Sequence, residues 1–499
     1  LIDNGYVNPG TNLAEYNSAG FDLNLKNGTY ANLNFINMTA TRNGLKAKDG
    51  AALMIKARDD GASYSVCPAT LDNVLISGGS FTDNERGIRF GEPGKTNAGP
   101  TNVSIDKAQV YGNVQTYIGT DGSAYGDVVN FAAAKADVSP IWWGAASGPA
   151  TGQMYGSMGY VPWCLTSACD TFFTPPVHNV TQDTYFSLLT PAVAAAHAGD
   201  SITMAAGTYV EPGQIVIDKN LTITGADKLT TIIKPAVDTG NSSDARGFIL
   251  VNSGVTFNLS GVTIDGAGRL VNIGILSHGP VTIEGNIFKN IGYNPSGPDY
   301  AGRGIAIYGA NSTIRNNSFS NIGRIGIYAY GTGVSAGVVN GNTYVGKGDG
   351  NWLDYGIEIE GGAKVEAFDN SISNCSGRAT VDGSSSSGLL ITTYWAGGST
   401  ANVHNNTFSN NYIAIADGYN DADTSVVTAQ YNKFIGNDYG IVSWGPTVAA
   451  SPNWWNNING PLVGDKTYGP VNFVKWCGDA ACSFLMPGDD NVVTLGPGT

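Results

Sequence analysis

The chain has 499 residues, of which only 13% are charged and 68 are glycine, with a net charge of −14. The length exceeds a single globular core and asks for several domains or one elongated fold. A 42% hydrophobic content excludes general disorder, and the acidic balance argues against nucleic acid and anionic lipid as partners. The glycines have no three-residue period, so the chain is not collagen-like, and no apolar run is long enough to span a membrane.

Short alternating segments appear first at Ile76–Phe81, Gly87-Ile88 and Ile105–Val110, separated by turn-forming residues. Next comes a Trp/Cys element: S-P-I-W-W-G-A-A-S-G-P around Trp142 and Trp143, then Trp163-Cys164 with Cys169. The same element returns as S-P-N-W-W-N-N-I-N-G-P around Trp454 and Trp455, then Trp476-Cys477 with Cys482. Two rare signatures in the same order mark an internal duplication. We read module one as 1–174, module two as 175–485 and a tail as 486–499. Module one has no counterpart to the opening of module two, so it is either truncated or built shorter.

Module two opens with Thr184–His197, whose apolar spacing predicts a short amphipathic helix. From Gly199 onward the period switches to strand alternation. Then one beat repeats: apolar, two residues, Asn, one residue, apolar or aromatic. It occurs at Asn286, Asn317, Asn342, Asn370, Asn406 and Asn432, for example Ile314-Asn317-Phe319 and Val403-Asn406-Phe408. Between these lie short strands such as Gly304-Ile305, Gly326-Ile327, Gly356-Ile357 and Gly440-Ile441. Strands this short bury an apolar face only if the chain winds once per repeat and stacks coil on coil. Parallel crossovers are almost always right-handed. The predicted fold is all-β: a right-handed parallel β-helix, or solenoid, in two tandem modules. The recurrent asparagines are expected at sharp turns, where they tolerate left-handed backbone angles and form amide ladders. In module one Gly79 and Ala108 stand where Asn would be.

Residues 199–234, G-D-S-I-T-M-A-A-G-T-Y-V-E and onward, resemble the opening coils of the pectate-lyase-like superfamily of right-handed β-helices. The W-W-x4-G-P element resembles the closing segment of secreted and cell-surface β-helix proteins. The resemblance implies an extracellular or cell-surface location. It implies no particular activity, because this fold hosts many functions.

Motifs of the pectin-cleaving relatives are missing: there is no N-T-D, G-H-G or R-I-K, no W-I-D-H and no L-G-R-P-W. The best carboxylate pair is Glu358 and Glu360 in Y-G-I-E-I-E. With Ile357 and Ile359 inward, both glutamates face outward, roughly 6.5–7 Å apart along the strand, with Asp354 and Asp349 close by in sequence. That spacing suits an inverting glycosidase, and it equally suits ordinary solvated strand residues. Asp417, Asp421 and Asp423 form an oxygen-rich segment that either holds calcium or is a plain exposed loop. Cys164/Cys169 and Cys477/Cys482 lack a second pair or a histidine nearby, so they read as local disulfides rather than zinc sites. Cys67 and Cys375 read as buried thiols. Trp142, Trp143, Trp454 and Trp455 read as core caps, with sugar stacking as the alternative. Val492, Val493 and Leu495 in the tail form a strand-like segment expected to add to a neighbouring subunit.

The leading expectation is a secreted or cell-surface structural protein. It would form a rigid β-helical rod that assembles head to tail into a filament, sheath or surface layer. A polysaccharide-binding adhesin or a carbohydrate-active lyase or hydrolase is the alternative. Calcium is the one cofactor the sequence raises, and glycans are the one partner besides the chain itself.

Overall fold

The computed structural model describes residues 1–4, 19–47, 50–92, 95, 97–113, 125–294 and 301–487. The chain divides into two compact units, Leu1–Pro175 and Pro176–Thr499. Among the described residues, the second unit is built on three long sheets of 13, 9 and 10 strands. The first unit has main sheets of five, five and three strands. Each turn of the right-handed parallel β-helix contributes one strand to each of three faces. In one coil these are Lys364–Phe368, Ser371–Ser373 and Ser387–Ile391. The next coil repeats them as Thr400–His404, Thr407–Ser409 and Ile413–Asp417.

The register is fixed because side chains alternate in and out, and a slip by one residue would expose the core face. Ala367 lies beside Val403 and then Ala429, while Ile372 lies beside Phe408 and then Phe434. Like therefore stacks on like. Phe288 stacks on Phe319 at 5.0 Å between ring centroids, and Phe434 packs on Trp455 at 4.7 Å. Each such ring contributes about 1.5–3 kcal/mol by leaving water.

The turn between the first and second faces carries the asparagine column. The main-chain N–H of Asn342 donates to Oδ1 of Asn370 at 2.9 Å, and its Nδ2 donates to the same oxygen at 3.0 Å. Nδ2 also reaches back to the Ile314 carbonyl at 2.8 Å. The same bonds link Asn286, Asn317, Asn342, Asn370, Asn406 and Asn432, and they continue to Asn453. Every member is buried. The expected amide ladder is present, but the left-handed angle falls elsewhere. It belongs to the residue before each ladder asparagine: Gly285, Asn316, Gly341, Asp369, Asn405 and Tyr431, with φ between 54° and 66°. That preceding residue makes the bend, which leaves the asparagine free to turn its amide inward.

A second ladder runs along the turn between the second and third faces. Cys375 N–H donates to Asn411, Asn411 to Asn437, and Asn437 to the Asp465 carboxylate. The first unit has a matching column, Asn43 to Asn84 to Asn113, again ending on a carboxylate, Asp127. Gly79 and Ala108 do occupy the first ladder's place there. Their carbonyls accept from Gln109 and Trp142 as the Asn406 and Asn432 carbonyls accept from Lys433 and Trp454.

The predicted opening helix is shorter than its apolar spacing implied. Thr184–Phe186 is an antiparallel strand against Val177–Asn179, and the helix is Leu189–Ala195. Pro191 fits the first helical turn. The buried Glu211 carboxylate accepts from the N–H groups of Leu189 and Thr190, at 2.8 and 2.9 Å, which satisfies the helix start.

Replacing Asn370 with alanine orphans the Asn342 N–H and the Val339 carbonyl inside the stack. We expect a loss of about 3 kcal/mol. The exposed strand residue Asn402 changed to alanine should stay within about 0.5 kcal/mol of the parent. Denaturant unfolding of both variants checks this.

Candidate functional site

The third face positions the carboxylate pair. Strand Tyr355–Glu360 lies between Ile325–Tyr330 and Ser387–Ile391, with Arg303–Tyr308 one coil further back. Ile357 and Ile359 point into the core, and the two glutamates point out, as alternation requires. They are not solvated, however. Glu358 is 9% exposed and Glu360 is 3% exposed. Tyr328, Leu353, Tyr355 and Ala379 belong to an apolar cluster outside the main core, and Tyr328 touches Glu360. The sequence reading missed this cluster because outward strand residues are normally wet.

Tyr328 donates its hydroxyl to Glu360 at 2.7 Å, and the Arg303 guanidinium sits over the Tyr328 ring at 4.7 Å. Burial, then the neighbouring charge of Glu360, pushes the Glu358 carboxyl up to about 7, against the pull of Arg324 and Arg303. Burial also raises Glu360, opposed by the Tyr328 hydrogen bond. Each carboxyl therefore bears on the ionisation of the other. Burial sets this pair apart from the solvated strand residues that the sequence equally allows. Inverting glycosidases hold their carboxyls about 6.5–9.5 Å apart so that a water fits, and retaining ones about 5–5.5 Å. Glu358 Oε2 and Arg303 Nε are buried with no hydrogen-bond partner among the described residues.

Asp354 does not join this pair. It is fully buried, accepts from the Lys347 N–H at 2.6 Å and from the Tyr344 hydroxyl, and lies 3.3 Å from Lys347 Nζ. Burial raises its carboxyl and lowers the Lys347 ammonium. It braces the turn entering the third face.

Of the calcium candidates, Asp417 and Asp423 meet at the Ser425 hydroxyl and Asp421 stands apart. Asp417 stands in the inward column of Ile359 and Ile391, completely buried, and accepts from the Ser425 and Ser443 hydroxyls at 2.8 and 2.9 Å. Burial pushes its carboxyl up to about 6. Asp423 ties two loops together through Thr392, at 2.8 Å, and the Thr393 N–H, at 2.9 Å. Asp421 is exposed. Among the described residues no three metal-ligating side chains converge.

Both Cys pairs form disulfides, Cys164–Cys169 and Cys477–Cys482, with Cα atoms 4.8 and 4.6 Å apart. Cys375 is buried, but Cys67 is exposed, since it lies in the loop that follows a one-turn helix. Trp143 and Trp455 are core residues, whereas Trp142 and Trp454 are half-buried. Trp455 sits where Phe434 and Phe408 sit one and two coils back, and Asn453 is a seventh ladder member. The beat Ala450-Asn453-Trp455 was readable but hidden inside the duplicated element. In the G-P steps, Gly148 and Gly460 have φ of 81° and 70°. A Cβ there would come within 2.5 Å of the Trp163 ring or 2.8 Å of the Trp476 ring. The tail residues Val492, Val493 and Leu495 lie outside the described residues.

Two surface features carry no motif. A polar groove of about 900 Å³ crosses the turns that contain Asp349, Arg378, Tyr412 and Asp438. An aromatic trio, Tyr394, Trp395 and Tyr419, is exposed on neighbouring loops, with centroids 4.9 and 5.0 Å apart.

A carboxyl raised in the folded state favours folding below its unfolded value and loses that benefit as pH rises through the folded one. The Glu358 contribution is therefore complete below about 4.5 and gone above about 7. Glu358→Gln, a permanent mimic of the protonated form, should flatten the fall in melting temperature across that window. A pH series of melts checks this; an unchanged slope means that Glu358 ionises freely.

No curated protein matches the chain. A family model described as "Right handed beta helix region" matches residues 246–453. Among solved structures, a pectin methylesterase in complex with a hexasaccharide is 14% identical, with a TM-score of 0.32. That alignment covers 48% of this chain and 79% of the esterase. The PL6 family alginate lyase AlyGC is 12% identical over 91% of this chain and 64% of the lyase, with a TM-score of 0.25. The family match and the stacked parallel sheets agree on the fold: the chain is a right-handed parallel β-helix.

Proposed function

We propose that the protein is a secreted or cell-surface structural protein, a stacked-coil scaffold that associates head to tail rather than turning over a substrate. The observation that carries this reading is what became of its acidic residues. Glu358 and Glu360 are buried, with Glu360 bonded to the Tyr328 hydroxyl, Asp354 braces a turn, and Asp417 and Asp423 hold loops in place. All five are buried, whereas the carboxyls of glycoside hydrolysis must reach a substrate. The local disulfides support an oxidising, extracellular setting.

Apolar side chains exposed on terminal strands of the described sheets support self-association. Strands Ala19–Leu25 and Gly28–Ile36 stand first in their sheets among the described residues. Phe21, Tyr30 and Ile36 there are 42%, 38% and 58% exposed. Unpaired strand edges with apolar side chains recruit further strands. The segment Asn491–Leu495 is the strand we assign to that role. The structure shortens the tail at its start, since Leu485–Pro487 already pairs with Lys475–Cys477.

Electron microscopy and light scattering of the full chain test the reading. Concentration-dependent end-to-end particles are expected, and deleting residues 488–499 should abolish them while leaving the closing hairpin intact. A full chain that stays monomeric at high concentration contradicts the proposal, and assembly unchanged by the deletion contradicts the role of the tail.

A further inference from the structure

The turn entering the third face buries a lysine against an aspartate, an arrangement that packing alone does not require. It joins strand Thr343–Val345 to strand Tyr355–Glu360. Lys347 Nζ lies 3.3 Å from Asp354 Oδ2, and the two side chains are 12% and 0% exposed. Other lysine–carboxylate contacts keep one wet partner: Asp22 beside Lys56 is 38% exposed, and Lys289 beside Asp265 is 37% exposed. Two charges held away from water carry a desolvation cost that can exceed their attraction. Gly346 makes room for the contact. A Cβ there would come within 2.9 Å of Asp354 Oδ2 and 2.5 Å of the Asn374 carbonyl oxygen.

The groups are posed for a reaction with each other. Lys347 Nζ donates to the Ile322 and Gly323 carbonyls at 3.0 and 2.9 Å. A neutral amine has two N–H groups, so with both engaged there its lone pair is left for the carboxyl. Asp354 is held at both oxygens. Its Oδ1 accepts from the Tyr344 hydroxyl, and its Oδ2 accepts from the Lys347 main-chain N–H at 2.6 Å. Such donors meet the charge that develops on the oxygens when the carboxyl carbon is attacked. Burial lowers the Lys347 ammonium and raises the Asp354 carboxyl, which favours the neutral amine and the neutral acid. Fixing two reactants side by side is equivalent to a concentration of about 10⁵–10⁸ M.

We propose that Lys347 and Asp354 condense into an internal amide, an isopeptide cross-link that closes this turn covalently. A proton passes from the ammonium to the carboxylate, and the Nζ lone pair attacks Cγ. The Nζ–Cγ bond forms as one Cγ–O bond breaks. That oxygen leaves as water, with the proton of the acid and one proton of the amine. Nothing is oxidised or reduced, and no co-reactant enters. The product removes both buried charges and keeps one N–H for a carbonyl. The inference goes beyond the scaffold reading and does not depend on assembly.

Intact-mass spectrometry of the full chain with its disulfides reduced tests it. The expected mass is that of the sequence less one water. Trypsin cuts after unmodified lysine and arginine, so the linked chain should yield 325–364 as one peptide, uncut at Lys347 and lighter by one water. Lys347→Arg and Asp354→Ala should each restore the full mass, a readout that stands whether or not the variant folds. A parent chain of full mass overturns the inference. So does a water loss that survives Lys347→Arg or leaves Lys347 cleavable, as a succinimide at Asp349-Gly350 would. Deleting 488–499 should leave the link in place, so failure of the assembly proposal and failure of this one are distinguishable.

Discussion

Everything in the second unit depends on how the backbone of a sharp turn is satisfied once it is buried. A coil of three short strands has to bend sharply between them, and the bend brings N–H groups and carbonyls into a stack where water cannot follow. The asparagine ladder answers this from one coil to the next. Each Oδ1 accepts two bonds from the neighbouring coil, and each Nδ2 returns one to a carbonyl. An unmade bond at that depth costs about 1–3 kcal/mol, so the ladder fixes both the register and the stacking direction. The inward isoleucines and phenylalanines then have only one way to align.

The same constraint explains where variation is allowed. Loops leaving the third face, such as 392–398 and 418–425, and the turns that enter it differ in length from coil to coil without disturbing the ladders. The groove, the aromatic trio and the buried carboxylates all occur on this side of the coil. Asp127 and Asp465 end their ladders as carboxylates that accept from the last asparagine. A carboxylate accepts without needing to donate further, which suits the final rung of a stack.

The fold was legible because it is periodic. The spacing of Asn286 through Asn432 and the alternating apolar positions predicted coils, faces and stacking. The duplicated Trp/Cys element marked the closing coils and their disulfides. What could not be read was anything set by a second layer of packing. Alternation placed Glu358 and Glu360 outward correctly, but no local signal announced that they would be buried beside an apolar cluster that includes Tyr328. Asp417 was misread for a related reason. Its place in the inward column depends on register with Ile391, not on the acidic run around it. Cys67 was taken as a core thiol although its neighbours form an exposed loop.

The central claim is that the outer carboxylates are a buried pair whose ionisations depend on each other, rather than two exposed catalytic groups. Carbon-detected NMR titration of the Glu358 and Glu360 carboxyls in the full chain tests it most directly. The account predicts two widely split steps, with one proton retained toward neutral pH and both signals responding to each step. Two independent titrations near the ordinary glutamate value of about 4.3 would contradict it.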